Sequence, residues 1–402
     1  MVAATVTQVG VFMKKRFLGS KYAALHFGYW MDYLIIANFA AVFLIGRGFN
    51  AVQIGYVTTG AALISMLLQP LTADIADRSK VISVNHILLL LLGGSFLLAL
   101  VLSINKGFLV TFLLFMIIYS FIATISPLLS ALCLKYEDQG FPLNFGIARS
   151  CGSFGYAICA YIMGNVTEKM GSETILPVFG AITIFMVIIL ICMPGTSNTG
   201  MQAVHPKEKG QMIRFLMENK KYSLFLLGSM FSFFTHFVFA TYMIYFAKAY
   251  GGGDSVMGTV LFVTAFAEIP AVAFGMKIMK KLSAGTMLRI FSIAAVIKFT
   301  SLLFVTNISG FILIHVIHFC YTAFYIIASV YFADELVDKK DAVKAQAFMG
   351  VATTGITGML ANVLGGYMIE YLPIRTILII GSVISVVGVV LMFIATKNPK
   401  EE

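Results

Sequence analysis

Apolar stretches of about 20 residues, the length of a membrane-crossing helix, recur along this whole chain. Short polar turns separate them. Such stretches lie near residues 22–45, 53–73, 84–104, 108–134, 145–166, 174–193, 222–247, 256–280, 285–306, 309–333, 344–369 and 372–395. We therefore predict an all-α membrane protein with twelve transmembrane helices.

The composition agrees with this fold class. Of 402 residues, 59% are hydrophobic and only 11% are charged, whereas about a quarter of a soluble domain is charged. This excludes a cytosolic enzyme, a disordered chain and a secreted disulfide scaffold, and an outer-membrane barrel has shorter, alternating strands. Five cysteines lie in apolar stretches without metal-ligand spacing, so we predict no metal and no cofactor. The expected location is the inner or plasma membrane of the cell.

The longest connection, residues 194–221, divides six predicted helices from six. We expect a six-helix bundle at 1–193, a cytoplasmic linker at 194–221 and a second six-helix bundle at 222–402. Of the 28 Lys and Arg residues, 21 fall on the side that holds both termini and 5 on the other. Because cytoplasmic loops carry such an excess, both termini are predicted to be cytoplasmic. The net charge of +10 thus indicates topology and not a nucleic-acid partner.

This layout resembles the major facilitator superfamily, whose members bind solutes between two bundles near the membrane midplane. The stretch Leu71–Arg78 resembles the signature between the second and third helices of that superfamily, although its leading glycine is replaced. Asp77 and Arg78 occupy the acidic and basic positions. The resemblance implies a conformational latch in which Asp77 accepts hydrogen bonds from neighbouring helix N-termini. The alternative is a solvated charged turn.

Four charged residues fall inside the predicted helices, where a charge is unfavourable unless it faces a cavity or a partner. They are Asp32, Arg149, Glu268 and Lys298. Two are acidic and two are basic, so their charges balance. Each is a candidate functional residue.

The predicted fifth helix contains Gly146-Ile147-Ala148-Arg149, followed by Gly152 and by Gly155-Tyr156-Ala157-Ile158-Cys159-Ala160. This pattern resembles the lactose permease and oligosaccharide:proton symporter branch, which lies near the nucleoside:proton symporters. The resemblance implies that Arg149 binds substrate and that Tyr156 stands where a tryptophan stacks on the sugar. The two glycines would allow close helix approach. Alternatively, Arg149 extends to the inner membrane surface.

The resemblance continues in the second half. Glu268 matches a glutamate that binds substrate and couples to the proton, Lys298 matches an arginine, and His318 matches a histidine. It implies substrate binding by Glu268 and His318, and proton coupling by these two with Lys298. The chain departs from the pattern at Tyr321, where the family carries its proton on a glutamate. Further departures are His315, the apolar region near Ala131, and His236 with Thr353, Thr354 and Thr357.

Asp32 is a carboxylate that the family lacks. It shares a helix face with His26 and Tyr29 and matches a substrate-contacting position. We expect it to bind substrate, to act as counter-ion to Arg149 and to be a second proton site. The alternative is a structural pair between helices.

These features predict a proton-coupled secondary transporter, a symporter of a small polar solute such as a sugar or nucleoside. It would work by alternating access as a functional monomer in the lipid bilayer, with protons and solute as its partners. The alternatives are a multidrug/proton antiporter and an organic-anion transporter that uses Arg149 and Lys298. A scaffold without transport is disfavoured by the buried charges. An enzyme is not expected, since the sequence has no nucleotide loop and no nucleophile–base set.

Overall fold

The structure is a computed structural model that describes residues 17–79, 81–196 and 211–397. Within these ranges all regular elements are helical and there is no strand. The predicted all-α class is therefore confirmed for this part of the chain. Several residues used in the charge argument lie outside it, namely Lys14, Lys15, Arg16, Lys80, Lys400 and most of the linker (197–210).

Eighteen α-helices follow one another in the described ranges. The first seven are α1 (Leu18–Tyr33), α2 (Ala40–Gly46), α3 (Ala51–Arg78), α4 (Val84–Ile104), α5 (Phe108–Asp138), α6 (Phe145–Met170) and α7 (Ile175–Ile191). The others are α8 (Gln211–Glu218), α9 (Lys220–Thr241), α10 (Met243–Ala249), α11 (Asp254–Ala273), α12 (Gly275–Met279), α13 (Ala284–Leu302), α14 (Ile308–Leu313), α15 (Thr322–Leu336), α16 (Ala342–Gly350), α17 (Thr357–Tyr371) and α18 (Ile374–Ala395). Leu34–Asn38 and Val351–Ile356 are π-helical, while Ser172–Thr174, Ile314–Phe319 and Lys339–Asp341 are 3-10 helical.

Several of these helices, alone or continuous with a neighbouring helical segment, are long and apolar enough to cross a membrane. Ten spans meet this description in the described ranges, or eleven when Leu18–Asn38 and Ala40–Gly46 are joined across their 49° bend. The helix α6 has the necessary length but is not among them. Its glycine, serine and arginine residues make it less apolar than its neighbours. The number twelve stays a prediction.

The helices group into two compact units. Unit 1 comprises Met1–Gly48 and Gly60–His205, and unit 2 comprises Phe49–Thr59 and Pro206–Glu402. Because α3 runs from Ala51 to Arg78, its first turns pack with unit 2 and its remainder packs with unit 1. The sequence-based bounds of the two bundles, 1–193 and 222–402, stay a prediction.

In unit 1, α1 packs along α6 and against α7. Glycines on α6 permit the close approach. A Cβ atom at Gly152 would lie 3.1 Å from the carbonyl oxygen of His26, and one at Gly155 would lie 2.8 Å from that of Phe27. The predicted role of these two glycines in helix packing is therefore confirmed.

In unit 2, α9 packs along α18 and α13 packs against both α15 and α18. Aromatic side chains such as Phe225, Phe291 and Tyr321 fill the core between these helices. Burial of such large rings supplies much of the packing area of a domain. It also surrounds the polar residues of this unit with apolar atoms.

The first turns of α3 are bonded within unit 2 to α17 and to Tyr242, which lies between α9 and α10. The backbone N–H of Ala51 donates to Glu370 Oε2 at 3.0 Å, and Tyr242 Oη lies 3.1 Å from the carbonyl oxygen of Ala51. The hydroxyl groups of Tyr56 and Tyr367 are 2.6 Å apart. A helix N-terminus has backbone N–H groups without helical partners, and Glu370 accepts from one of them.

Candidate functional site

Unit 2 contains a buried polar cluster at the meeting point of α11, α13 and the 3-10 segment Ile314–Phe319. Lys298 and His318 are each only 1% exposed, and Lys298 Nζ lies 2.7 Å from His318 Nε2. A buried ammonium group is strongly unfavourable unless polar partners compensate it. His318 is such a partner.

Glu268 on α11 completes this cluster. His318 Nδ1 lies 3.3 Å from Glu268 Oε1 and 3.0 Å from Thr322 Oγ1, and the hydroxyl of Thr322 donates to Glu268 Oε1. The side chain of Glu268 is 27% exposed. The three residues that the resemblance assigns to proton coupling in this half, Glu268, His318 and Lys298, are therefore close together in the structure.

The hydrogen bonds of this cluster have a direction. An ammonium group only donates, so His318 Nε2 accepts when Lys298 is protonated, and the neutral ring then carries its proton on Nδ1. That N–H donates to an oxygen of Glu268 or Thr322. The arrangement can carry a protonation change from Glu268 to Lys298 through one imidazole ring.

The local backbone explains why two histidines lie side by side. A 3-10 helix has three residues per turn, so side chains at i and i+3 eclipse each other. The rings of His315 and His318 are accordingly 6.1 Å apart and 13° from parallel. His315 Nδ1 lies 2.8 Å from the carbonyl oxygen of Phe311. Because a carbonyl only accepts, this nitrogen donates, and Nε2 of His315 has no partner among the described residues.

Aromatic rings and a third histidine surround the cluster. Lys298 Nζ lies 5.0 Å from the ring centroid of Phe239 and 5.7 Å from that of Tyr321, distances typical of cation–π attraction. The ring of His236 is 5.6 Å from that of His318. In the described ranges no group of three or more His, Cys, Asp and Glu side chains is arranged to hold a metal ion.

Tyr321, which stands where the resemblance expects a proton-carrying glutamate, has a structural bond. Its hydroxyl donates to the carbonyl oxygen of Ser232 at 2.8 Å, and its side chain is fully buried. The Thr353 and Thr357 hydroxyls donate to backbone carbonyls within their own span. None of these hydroxyl groups takes the place of the carboxylate that the resemblance expects at position 321.

Unit 1 contains a second polar site, on α1 and α6. The guanidinium carbon of Arg149 lies 3.8 Å from the ring centroid of Trp30, and Arg149 Nη1 donates to Ser153 Oγ at 2.7 Å. Tyr156, two turns further along α6, donates to Asn38 Oδ1 at 3.0 Å. Asn38 ends the π-helical segment Leu34–Asn38, and such segments are frequent at functional sites.

Asp32 is fully buried, and its described partner is a threonine. Its Oδ2 accepts from Thr183 Oγ1 on α7 at 2.7 Å, and its Oδ1 has no partner among the described residues. The counter-ion interpretation stays a prediction. Asp32 follows Trp30 by two residues and thus projects from nearly the opposite side of α1. Its expected roles in substrate binding and proton coupling stay predictions.

The predicted latch residues form ion pairs at the end of α3. Asp77 Oδ1 accepts from Lys135 Nζ at 3.1 Å, with the two side chains 25% and 8% exposed. Arg78 pairs with Asp74 at 2.6 Å on the exposed surface. The described partner of Asp77 is thus a lysine side chain on α5 and not a helix N-terminus.

Sequence reasoning did not identify several uncharged partners of the candidate residues. They are Trp30, Asn38, Ser153, Thr183 and Thr322. Residues of this kind are common in apolar helices, so nothing in their local pattern marks them. Trp30 is an exception, because it is the only tryptophan of the chain and lies two residues from Asp32.

Comparison with known proteins identifies transporters. An uncharacterized transporter of Bacillus subtilis, YwbF, is 24% identical over 288 residues, which cover 70% of each chain. A probable 3-phenylpropionic acid transporter of Escherichia coli is 24% identical over 353 residues, which cover 86% of this chain and 90% of the relative. These relatives confirm the prediction of a transporter and not an enzyme.

Solved structures show the same fold. The nucleoside transporter NupG superposes with a TM-score of 0.80 at 15% identity, covering 95% of this chain and all (100%) of that one. The peptide transporter POT superposes with a TM-score of 0.74 at 10% identity, with 97% of each chain covered. The MFS_1 like family matches residues 21–379, and the chain therefore belongs to this family of major facilitator transporters.

Proposed function

We propose that the chain is a proton-coupled secondary active transporter, a symporter of a small polar solute such as a sugar or nucleoside. It works by alternating access, as a monomer with twelve transmembrane helices and both termini in the cytoplasm. Its bacterial relatives support a location in the cell membrane. The observation that carries this proposal is the buried chain of hydrogen bonds from Lys298 through His318 to Glu268.

Glu268 is the proton-carrying group in this proposal. When it is ionised, it accepts from Thr322 and from His318, and the positive charge of Lys298 compensates it through the imidazole ring. A proton on Glu268 removes the negative charge that stabilises this series of hydrogen bonds. The loaded carrier then has one fewer buried charge in total, and the release of this contact allows it to reorient.

Asp32 is the second proton site in this proposal. It is fully buried in unit 1, and Thr183 satisfies only one of its two carboxylate oxygens. A buried carboxylate with an unpartnered oxygen is stabilised when it takes up a proton. Two such sites, one in each unit, would couple solute movement to the proton gradient.

We assign solute binding to Arg149 and Tyr156 in unit 1, and also to Glu268 and His318 in unit 2. A fold neighbour that is a nucleoside transporter supports a nucleoside. An organic anion is a second candidate, because a relative is named as a probable 3-phenylpropionic acid transporter. A guanidinium group suits a carboxylate as well as it suits hydroxyl groups.

A ligand screen followed by transport assays tests the proposal. Thermal unfolding of the purified protein is measured with sugars, nucleosides, organic acids and lipophilic cations. Any stabilising solute is then used for uptake into proteoliposomes with and without an inward proton gradient. Stabilisation by a lipophilic cation, followed by export of that cation in exchange for inward-moving protons, would instead show a multidrug antiporter.

The variant Glu268→Gln tests the coupling. Glutamine keeps an oxygen that can accept from Thr322 but cannot carry the transported proton. We expect accumulation driven by the proton gradient to be lost while exchange of solute across the membrane continues. Glu335→Gln, at an exposed carboxylate of the same unit, is the control and should accumulate solute normally. Unchanged uphill transport in both Glu268→Gln and Asp32→Asn would rule out this coupling scheme.

A further inference from the structure

Trp30 lies against Arg149 and has a buried N–H group, and neither feature has a role in the proposed transport function. We propose that Trp30 determines solute specificity in unit 1, by holding the Arg149 guanidinium in place and by donating its indole N–H to an oxygen of the bound solute. This inference rests on the proposed transport function and adds a recognition residue to it.

The tryptophan ring is fixed by its neighbours. A Cβ atom at Gly152 would collide with Trp30 Cδ1 and lie 3.1 Å from Cγ, so the ring lies directly against the backbone of α6. The rings of Tyr29 and Tyr33 contact it edge-on, with centroids at 5.2 and 5.4 Å. A large ring held on three sides has little freedom to turn.

This fixed ring in turn restrains Arg149. The guanidinium carbon lies 3.8 Å from the Trp30 ring centroid, which is a stacking distance. Ser153 accepts from Nη1 of the same group at 2.7 Å. A guanidinium held by a ring and a hydroxyl loses less entropy when it binds a solute, because its orientation is already set.

The indole N–H of Trp30 needs an acceptor. Trp30 Nε1 is buried and has no hydrogen-bond partner among the described residues. Leaving a buried donor without a partner is unfavourable, and tryptophan normally finds one when it is buried. If Trp30 served packing alone, a phenylalanine in its place would pack as well and would leave no buried N–H without an acceptor.

The acceptor must be an oxygen of the solute in this arrangement. Asp32 on the same helix is bonded to Thr183 and lies about 200° around α1 from Trp30. In this proposal a solute that binds Arg149, whose guanidinium carbon lies 3.8 Å from the ring centroid, also reaches the N–H of the same ring. The shared chemistry is an oxygen acceptor, which a carboxylate, a sugar hydroxyl or a nucleobase carbonyl can provide.

The single tryptophan makes a direct test possible, because all tryptophan fluorescence of the full chain comes from Trp30. Emission of the purified protein is recorded without solute and in titrations with 3-phenylpropionate, uridine and lactose. We expect one of these probes to change the emission with saturation. In the absence of any solute, Arg149→Gln should shift the emission, since the guanidinium no longer lies on the ring.

The variant Trp30→Phe separates recognition from packing, with binding measured by calorimetry. Phenylalanine keeps a ring against Gly152 but has no N–H donor. We expect the melting temperature to stay near that of the wild type and affinity for the bound probe to fall about tenfold or more, the factor expected for one hydrogen bond to a polar or charged acceptor. Arg149→Lys should bind the probe more weakly than the wild type but more tightly than Arg149→Gln.

Three outcomes would overturn the inference. Identical emission of the wild type and Arg149→Gln would show that the guanidinium does not lie on Trp30, whatever the solute is. Equal affinity of the wild type and Trp30→Phe would show that the N–H is not used. Unchanged Trp30 emission on binding of a solute that the wild type takes up would show that the solute does not reach the ring, whereas proton-driven uptake of that solute would leave the transport function intact.

Discussion

The Lys298 ammonium nitrogen lies 2.7 Å from Nε2 of His318, in surroundings that leave each side chain only 1% exposed. Two basic groups this close cannot both be charged without strong repulsion. When Lys298 holds the proton, the imidazole must be neutral and must present its N–H to the Glu268 side. The pair therefore favours a protonated Lys298 beside a neutral His318. An ionised Glu268 provides an acceptor for the N–H of His318.

The Lys298–His318 bond should appear as an energetic coupling. Lys298→Met removes the donor and His318→Leu removes the acceptor, while both replacements keep an apolar side chain of similar length. We expect the two destabilisations to be non-additive by about 1–3 kcal/mol, because the second change has no remaining bond to break. The free energies of unfolding of the wild type, both single variants and the double variant in detergent micelles give this coupling. Additive effects within error would show that the two groups act independently.

Thr322→Val should weaken the cluster without a change in side-chain shape. The hydroxyl of Thr322 donates to Glu268 and lies beside His318 Nδ1, and valine cannot donate. We expect a loss of about 1–3 kcal/mol in the free energy of unfolding, together with a shift in the pH at which proton-driven uptake is half-maximal.

Thr259→Val on α11 is the matched control, since its hydroxyl donates only to the carbonyl oxygen of Ser255 in the same helix. That variant should be close to the wild type in stability and in the pH dependence of uptake. A similar shift in both variants would show that the effect is general for threonine in this unit.

Gly366→Ala should destabilise the contact between α17 and the first turns of α3. The added Cβ would lie 2.6 Å from the carbonyl oxygen of Ala51 and 2.8 Å from Tyr242 Oη, and backbone atoms cannot easily move away. We expect a loss of about 1–3 kcal/mol, typical of overpacking. Gly358→Ala is the control on the same helix, because nothing lies within 4 Å of its Cβ position. It should gain about 0.5–1 kcal/mol. Thermal unfolding that ranks the two variants in the opposite order would contradict the described packing.

Asp77→Ala should destabilise the end of α3 more than Arg78→Ala. The change leaves Lys135, whose side chain is 8% exposed, without its carboxylate, and a buried charge that loses its partner is unfavourable. We expect about 1–3 kcal/mol for Asp77→Ala. The Arg78 side chain is 72% exposed, and exposed ion pairs contribute about 0–1 kcal/mol. Equal losses in denaturant titrations of the two variants would mean that burial of Lys135 does not matter.

The fold was predictable from the sequence because apolar segments of membrane-spanning length can do little else than form helices. The grouping of Glu268, His318 and Lys298 was predictable from the family resemblance. Partners such as Thr322 and Thr183 were not, because they depend on how neighbouring helices are rotated. The π-helical segment Leu34–Asn38 and the 3-10 segment Ile314–Phe319 change that rotation within a span. A constant period of 3.6 residues cannot anticipate them.

The bond between Ala51 and Glu370 joins residues 319 positions apart, which has a consequence for synthesis of the chain. The N-terminal helices leave the ribosome first, so the opening turns of α3 exist long before α17 does. During that time the N–H of Ala51 and the face of α3 that carries Gly55 have neither Tyr242 nor α17 beside them. Assembly of this helix is therefore one of the last steps of biogenesis, and a chain truncated before residue 370 should leave its second span incompletely packed.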